Sequence, residues 1–145
     1  INPFNEKEVP LIKEVSYLRN YLELEKLRQA KDVDIQLKVN GIVSSQRIAP
    51  LMFIPFVENS FKHGLQNQIK EGYVHIVLNV KQDEVNMKVT NSKAPALPQR
   101  GDVKRSGGIG LVNVNRRLNI LYPNKYNLEI NDNPNSYEVD LTIEL

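Results

Sequence analysis

The 145-residue sequence contains no cysteine, so a disulfide framework, a thiolate metal site and a catalytic thiol are all excluded. Its formal net charge is only +2, and no basic stripe with interleaved aromatic residues is present, which argues against a nucleic-acid-binding protein. No apolar run is long enough to cross a bilayer, and the chain does not open with a signal peptide. We therefore expect a soluble globular domain.

The composition indicates one folded unit. With 41% hydrophobic and 25% charged residues, a chain of this length can bury a substantial core, whereas two domains would be cramped. Residues 1–10 are polar and bounded by prolines, and we interpret them as a linker before a single domain at 11–145. Because the chain begins at Ile1 rather than at Met, we expect it to be a piece of a longer protein.

The spacing of apolar residues predicts a two-layer fold. Helical spacing predicts a first helix at 11–31, with a buried face that includes Tyr21 and Leu24, and a second helix at 48–64. Alternation of apolar and polar residues predicts strands at 34–40, 73–80, 84–91, 126–130 and 137–145. This one-sided alternation favours an α/β (α+β) sandwich, with a mixed, mostly antiparallel five-stranded sheet and the helices on one face.

The stretch Pro55–Gly64 (PFVENSFKHG) carries the most chemistry. On a regular α-helix Glu58 would share a face with Lys62, and Asn59 with His63, because residues four apart are neighbours. Taken alone, the motif fits two interpretations. One is a solvated Glu58–Lys62 ion pair with His63 at the carboxyl end of the helix dipole. The other is a functional cluster on the edge of a buried helix.

A glycine cluster opens the third predicted helix. Ser106–Gly110 (SGGIG) runs directly into an amphipathic segment whose apolar stripe comprises Leu111, Val114, Leu118 and Leu121. Glycines at a helix start let backbone N–H groups approach an anion, and the helix dipole favours negative charge there. The pattern predicts a phosphate-binding turn.

The two motifs together resemble a known family. The order Glu-Asn-x-x-x-His-Gly, a strand pair and Gly-x-Gly-Leu-x-Asn is similar to the ATP-binding domain of sensor histidine kinases. That domain has the Bergerat, or GHKL, ATPase fold, shared with gyrase, the MutL repair proteins and a heat-shock chaperone. The stretches PFVENSFKHG and GLVNVNRRL most resemble the bacterial subgroup typified by autolysin-regulating sensors. The resemblance covers nearly the whole chain, and two motifs in this order are more specific than a lone glycine motif.

The resemblance implies ATP and Mg²⁺ as cofactors and assigns roles to particular residues. Asn59 would give its carboxamide oxygen to Mg²⁺, a cation that prefers oxygen ligands. Glu58 would polarise the attacking group or orient Asn59, so these two are the implied catalytic residues. The other implied nucleotide-binding residues are Lys62, His63, Gly64, Asn91, Gly108, Ile109, Gly110, Leu111 and Asn113.

Residue 91 departs from the family pattern. Most members have Asp-x-Gly-x-Gly where this chain has Asn91-Ser-Lys-Ala-Pro95. The Asp accepts a hydrogen bond from the adenine amino group, and Asn91 can still accept one through its carbonyl oxygen. The alternation of its strand places Asn91 on the helix side of the sheet. Lys93 and Pro95 replace both glycines, so the backbone cannot turn in the same way, and we expect weaker ATP binding than in a typical member.

The segment 92–105 is rich in turn residues and predicts a loop. Its charge is mostly basic, and two interpretations are open: the basic side chains contact nucleotide phosphates, or they belong to a solvated lid. These side chains are Lys93, Arg100, Lys104 and Arg105.

The resemblance implies the catalytic half of a two-component sensor histidine kinase, which transfers the γ-phosphoryl group of ATP to a histidine on a separate domain. His63 lies inside the nucleotide motif and His75 on the polar face of a strand, so neither of the two histidines is a plausible acceptor. The implied partners are the phosphoacceptor domain of the same protein, in a homodimer, and a cytoplasmic response regulator. The implied location is the cytoplasmic side of an inner-membrane sensor, whose membrane segments would lie outside this chain.

Two alternatives remain open from the sequence. One is a non-catalytic nucleotide-binding or scaffold module with a degenerate adenine motif. The other is an ATPase of the repair or chaperone branch. Retention of Glu58, Asn59 and the glycine cluster argues against a scaffold, because a scaffold needs none of them.

Overall fold

The structure is a computed structural model that describes residues 8–64, 71–93 and 108–145. Most of the predicted linker at 1–10 and most of the predicted basic loop at 92–105 therefore lie outside the described residues. Within them the elements follow in the order β1 (Val9–Pro10), α1 (Leu11–Arg28), β2 (Asp34–Gly41), β3 (Arg47–Ile48), α2 (Ile54–Asn59), a π-helical segment (Ser60–Gly64), β4 (Tyr73–Val80), β5 (Glu84–Ser92), α3 (Gly108–Leu121), β6 (Tyr126–Asp132) and β7 (Ser136–Glu144).

The main sheet has five strands in the order β2-β4-β5-β7-β6. β2 runs parallel to β4, and every other neighbouring pair is antiparallel. The predicted mixed, mostly antiparallel sheet is confirmed. β1 and β3 form a separate two-stranded antiparallel sheet. β1 directly precedes α1, and β3 precedes the turns that lead to α2.

The core lies on one face of this sheet. In β4 every second residue from Val74 to Val80 is buried, and in β5 the same phase runs from Val85 through to Asn91. The helices contribute the other half of the same core through Leu18, Phe56 and Leu118. This one-sided burial is what the period-two alternation predicts, and it confirms the two-layer sandwich.

α1 is shorter than predicted, and its buried face is narrower. The helix ends at Arg28 instead of residue 31, because Gln29 takes an extended backbone (ψ 162°) while its N–H still bonds to the Glu25 carbonyl. Leu24, predicted to be buried, is 61% exposed. Within the described residues, α1 and the other helices are too short or too polar to cross a membrane.

The helix predicted from residue 48 begins only at Ile54. Ile48 belongs to β3, and residues 49–53 form turns. Pro50 disfavours a helical residue before it, and Leu51 has a left-handed backbone (φ 61°) that no α-helix contains. Pro55, in contrast, lies in the first turn of α2, where its missing N–H costs nothing.

Candidate functional site

The segment that carries the first motif changes its helical pitch after Asn59. α2 ends there, and Ser60–Gly64 continues as a π-helix. The Ser60 N–H is shared between the carbonyls of Phe56 and Val57, and its hydroxyl donates to the Phe56 carbonyl at 3.2 Å. π-helical turns are rare and occur often at functional sites.

The wider turn corrects one expectation from the sequence. Residues four apart do not stack in a π-helix as they do in an α-helix, and among the described ion pairs none joins Glu58 to Lys62. Lys62 is exposed. The side chain of His63 lies outside what the structure describes, so its predicted pairing with Asn59 stays a prediction.

Glu58 and Asn59 lie at the carboxyl end of α2 and are both partly exposed. The residues that flank them, Val57 and Ser60, are buried. The buried residues of α2 and its two flanks include Met52, Phe53, Phe56, Val57, Ser60 and Phe61. The carboxylate of Glu58 and the carboxamide of Asn59 therefore lie at the partly exposed end of a helix that is otherwise buried in the core.

Asn91 is the most unusual polar residue in the described core. It is 0% exposed and faces the helices from β5, as the strand alternation predicts. Its Nδ2 donates to the Ser92 carbonyl at 2.9 Å, but its Oδ1 is buried without a hydrogen-bond partner among the described residues. A buried acceptor in this state costs about 1–3 kcal/mol. A ligand N–H group placed there would remove that cost.

The backbone after Asn91 stays in the sheet. The Ser92 hydroxyl accepts a hydrogen bond from the Tyr73 N–H at 2.9 Å, and Ser92 still pairs with Ser136 on β7. The Lys93 N–H donates to the Asn135 carbonyl at 3.1 Å, and its ammonium group pairs with Asp132 on β6. Lys93 thus contacts the β6–β7 hairpin, while the other basic residues of the predicted loop lie outside the described part of the chain.

The second motif opens α3 at Gly108. Gly108, Ile109 and Gly110 form its first turn, and the N–H groups of a first helical turn have no partner inside the helix. Leu111 is partly buried and Asn113 is exposed. Ser106 and Gly107 lie outside the described residues. The predicted apolar stripe of this helix is confirmed, since Val114 and Leu118 are buried.

The fold brings the elements that carry these groups into contact. α2 packs against α3, and the π-helical segment packs against β5 and β7. Glu58 and Asn59, the buried Asn91 oxygen, and the first turn of α3 thus lie on neighbouring elements on the helix side of the sheet. The arrangement combines an acceptor for an N–H group, backbone donors for an anion, and a carboxylate beside a carboxamide.

Comparison with known proteins points to one family, although no protein-family model matches the chain. Sensor protein LytS of Oceanobacillus iheyensis is 28% identical over 124 residues, which cover 79% of this chain and 21% of LytS. Sensor histidine kinase BtsS of Escherichia coli K12 is 24% identical over 129 residues, which cover 89% of this chain and 22% of BtsS. These relatives agree with the resemblance to sensor histidine kinases that the two motifs indicate.

Solved structures show the same fold for the domain. The catalytic domain of histidine kinase ThkA matches with a TM-score of 0.63 at 14% identity and covers 94% of each chain. The mycobacterial sensor histidine kinase MprB matches with a TM-score of 0.61 at 15% identity, covering 94% of this chain and 95% of MprB. The chain spans about a fifth of the length of the curated relatives that it matches.

His75 lies on the opposite face of the sheet from the motifs, as predicted. Its Nε2 is 2.9 Å from Asp34 Oδ2 across the parallel β2–β4 pair, and its ring lies against that of Tyr73. The hydrogen bond from His75, helped by one from Gln36, lowers the pKa of the Asp34 carboxyl. This pair could not be predicted from the sequence, because it depends on which strands are neighbours in the sheet.

The domain contains a second unpredicted polar contact, between α1 and the turn before α2. Glu14 is buried, and its Oε1 accepts a hydrogen bond from the Leu51 N–H at 2.8 Å. Burial raises the pKa of Glu14, although its hydrogen bonds with the backbone and the charge of Arg117 oppose the shift. Arg117 on α3 also donates to the Leu51 carbonyl at 3.5 Å. The left-handed Leu51 is therefore held from both α1 and α3.

Another concave surface of the domain lies between α3 and β6. It is an open groove of about 450 Å³, lined by Asn115, Asn119, Asn124, Tyr126, Asn127, Leu128 and Ile130. None of these residues belongs to the predicted nucleotide site. The groove provides an internal comparison for ligand-binding experiments.

Proposed function

We propose that the chain binds ATP with Mg²⁺ and acts as the catalytic domain of a two-component sensor kinase, transferring the γ-phosphoryl group to a histidine on a separate domain. The observation that carries this proposal is Asn91 Oδ1, which has no hydrogen-bond partner among the described residues and is fully buried at the end of β5, on the side where the motif-bearing helices pack. An unpaired buried acceptor is costly in the free protein, and a nucleotide base would supply the missing donor.

The orientation of the Asn91 carboxamide favours adenine. Its NH₂ group is already engaged by the Ser92 carbonyl, which leaves the oxygen to face the ligand. The exocyclic amino group of adenine is a donor, whereas guanine has a carbonyl oxygen at the corresponding position. Two acceptors would face each other in a guanine complex, so the site would reject guanine nucleotides.

The phosphate groups would lie between the π-helical segment and the start of α3. The backbone N–H groups of Gly108, Ile109, Gly110 and Leu111 would bind them at the positive end of the helix dipole, with Asn113 on the same opening turn. Lys62, His63 and Gly64 would approach the phosphates or the ribose from the other side. These donors would hold the developing negative charge in place and limit the access of water.

Asn59 would hold Mg²⁺ through its carboxamide oxygen. Within residues 8–64, 71–93 and 108–145 no cluster of three His, Asp or Glu side chains could hold a metal. A single amide ligand suits Mg²⁺ in nucleotide sites, because the ion takes most of its oxygens from phosphates and water. The bound ion would neutralise charge on the phosphates. Glu58, one residue earlier, would accept a hydrogen bond from the attacking imidazole and orient it, or would orient Asn59.

The exposed side of α1 carries large apolar side chains that a binding partner could cover. Leu24 and Leu27 are 61% and 83% exposed, and Tyr17 lies seven residues before Leu24 on the same side of the helix. We propose that this side packs against the phosphoacceptor domain or a second copy of the protein. A response regulator is a further proposed partner, since a matching ThkA structure is a complex with the response regulator TrrA. Because the relatives are sensor proteins, we also propose a cytoplasmic position in a membrane-bound parent.

Calorimetric titration with a non-hydrolysable ATP analogue tests the proposal. We expect binding in the micromolar to low-millimolar range that tightens with Mg²⁺, and we expect Asn59→Ala to remove the Mg²⁺ dependence. Asn131→Ala, at an exposed position on β6, serves as the matched control and should bind as the wild type does. Absence of binding at millimolar analogue would contradict ATP binding and leave the scaffold alternative. Transfer to a supplied phosphoacceptor domain would then separate a kinase from an ATPase of the repair or chaperone branch.

A further inference from the structure

An aromatic contact connects α1 to the site. The ring of Tyr21 on α1 meets the ring of Phe61 edge to face, with centroids 5.9 Å apart and planes at 68°. Phe61 is buried in the π-helical segment, one turn after Glu58. Edge-to-face pairs of this kind stabilise a specific relative orientation of the two rings. Tyr21 therefore packs directly against the turn that follows the proposed catalytic residues.

The Tyr21 hydroxyl lies among carboxylates. Glu25, one turn along α1, is only 4% exposed and is contacted by Arg28 at 3.7 Å and by Gln29 Nε2 at 3.2 Å. Burial, a hydrogen bond to Glu25 and the charges of Glu25 and Glu58 together raise the pKa of Tyr21 well above its ordinary value. The hydroxyl therefore keeps its proton and acts as a donor toward Glu25, while Glu58 contributes through its charge.

The Tyr21–Phe61 contact matters because Phe61 lies in the π-helical segment. A π-turn is less favourable than continued α-helix and persists where tertiary contacts maintain it. If Ser60–Gly64 relaxed toward α-helical pairing, Phe61 would rotate relative to Glu58. Because Tyr21 packs against Phe61, it constrains the π-helical side of the pitch change, and its hydroxyl is sensitive to the charge of Glu58 on the α-helical side.

We propose that Tyr21 is a positioning residue that fixes Glu58 and Asn59 for phosphoryl transfer, through its contact with Phe61 and its hydroxyl. The inference rests on the proposed function, because positioning matters only if Glu58 and Asn59 act on nucleotide. It assigns α1 a second role beyond packing. A displacement of α1 changes the Tyr21–Phe61 contact and with it the geometry of the catalytic pair.

The test compares substitutions at two tyrosines of α1. Tyr21→Phe removes only the hydroxyl, and Tyr21→Leu also removes the aromatic ring. Tyr17→Phe and Tyr17→Leu are the matched controls, since Tyr17 is on the same helix and 50% exposed. Three properties are measured on each variant: the affinity for a Mg²⁺-bound ATP analogue, the rate of transfer to a supplied phosphoacceptor domain at saturating ATP, and the backbone amide chemical shifts of Glu58, Asn59 and Phe61 without nucleotide.

We expect Tyr21→Phe to slow transfer about fivefold, the usual effect of one hydrogen bond, with nucleotide affinity changed less than about twofold. Tyr21→Leu should slow transfer by a further factor of about three to ten through loss of the ring contact. Both should move the amide shifts of Glu58, Asn59 and Phe61. The Tyr17 variants should leave these shifts and the nucleotide affinity unchanged, because Tyr17 lies on the exposed side of α1 that is proposed to contact the phosphoacceptor domain.

The inference would be overturned if the amide shifts of Glu58, Asn59 and Phe61 moved no more in the Tyr21 variants than in the Tyr17 variants, or if the effect of Tyr21→Phe were confined to nucleotide affinity. If Tyr21→Leu does not fold, Tyr21→Phe alone decides, because it keeps the ring. If the wild-type chain transfers no phosphoryl group, the proposed function fails. The amide shifts then decide whether Tyr21 positions Glu58.

Discussion

Replacement of Asn91 by leucine separates the stability of the domain from its affinity for nucleotide. Leucine has the same branched shape as asparagine but no polar atoms. In the free protein, the change removes a buried acceptor that has no partner within the described part of the chain, a relief of about 1–3 kcal/mol. It also removes the hydrogen bond from Asn91 Nδ2 to the Ser92 carbonyl, which contributes about 1 kcal/mol. We therefore expect the free energy of unfolding to rise by about 1 kcal/mol.

The same substitution should weaken nucleotide binding. If Asn91 Oδ1 accepts the adenine amino group, leucine leaves that donor unpaired in a buried site at a cost of about 1–3 kcal/mol. This corresponds to a loss of about fivefold to 150-fold in affinity. Urea unfolding and calorimetric titration of the same protein sample measure the two effects. A gain in stability together with a loss of function is the signature of a polar group kept for a ligand.

Asn86 provides the control on the same strand. It lies on the outer face of β5, and its Nδ2 donates to Asp140 Oδ1 at 2.6 Å and to Thr142 Oγ1 at 2.8 Å. Asn86→Leu should destabilise the domain by about 1–3 kcal/mol without changing nucleotide affinity. The reasoning is refuted if Asn91→Leu destabilises the domain as much as Asn86→Leu does, or if it binds the analogue as tightly as the wild type.

Three further predictions concern the fold. Gly41→Ala should lower the free energy of unfolding by at least about 2 kcal/mol in urea, because Gly41 has φ 93° and an added Cβ would lie 2.0 Å from the Val80 carbonyl oxygen; an unchanged midpoint would contradict this. Glu14 has a raised pKa, so its contribution to stability is present below its ordinary value of 4.5 and is lost as the pH rises through the folded-state pKa. Glu14→Gln should therefore gain stability relative to the wild type as the pH rises from about 4 to about 7, and an equal pH dependence of the two proteins would argue against this. His75→Ala should return the pKa of Asp34 from its lowered value toward 3.8 in an NMR titration, and an unshifted pKa would show that the pair does not form in solution.

The strands and their inward faces could be predicted from the sequence because period-two alternation is a local signal. The prediction for β4 matches its bounds, and the phase of β5 correctly placed Asn91 on the helix side. The alternation could not reveal that Asn91 Oδ1 has no hydrogen-bond partner in residues 8–64, 71–93 and 108–145. That property depends on every side chain packed around it, including those on distant elements.

The helices were predicted less well, for two physical reasons. A run of apolar residues from Ile48 does not distinguish a helix from a buried turn, and the left-handed Leu51 depends on Glu14, which lies 37 residues earlier. The change to π-helical pairing after Asn59 involves only five residues, too few for the apolar spacing to separate it from an α-helix. The Tyr21–Phe61 contact could not be predicted either, because helical spacing identifies the buried face of a helix but not the residues that pack against it.

The most direct test of the account is an NMR titration of the isotope-labelled chain with a non-hydrolysable ATP analogue and Mg²⁺. The account predicts that the amide signals of Glu58–Lys62, Asn91 and Gly108–Asn113 shift together with one dissociation constant, and that a guanine analogue produces smaller shifts. Shifts confined to the groove between α3 and β6, or no shifts at millimolar analogue, would contradict the proposed nucleotide site.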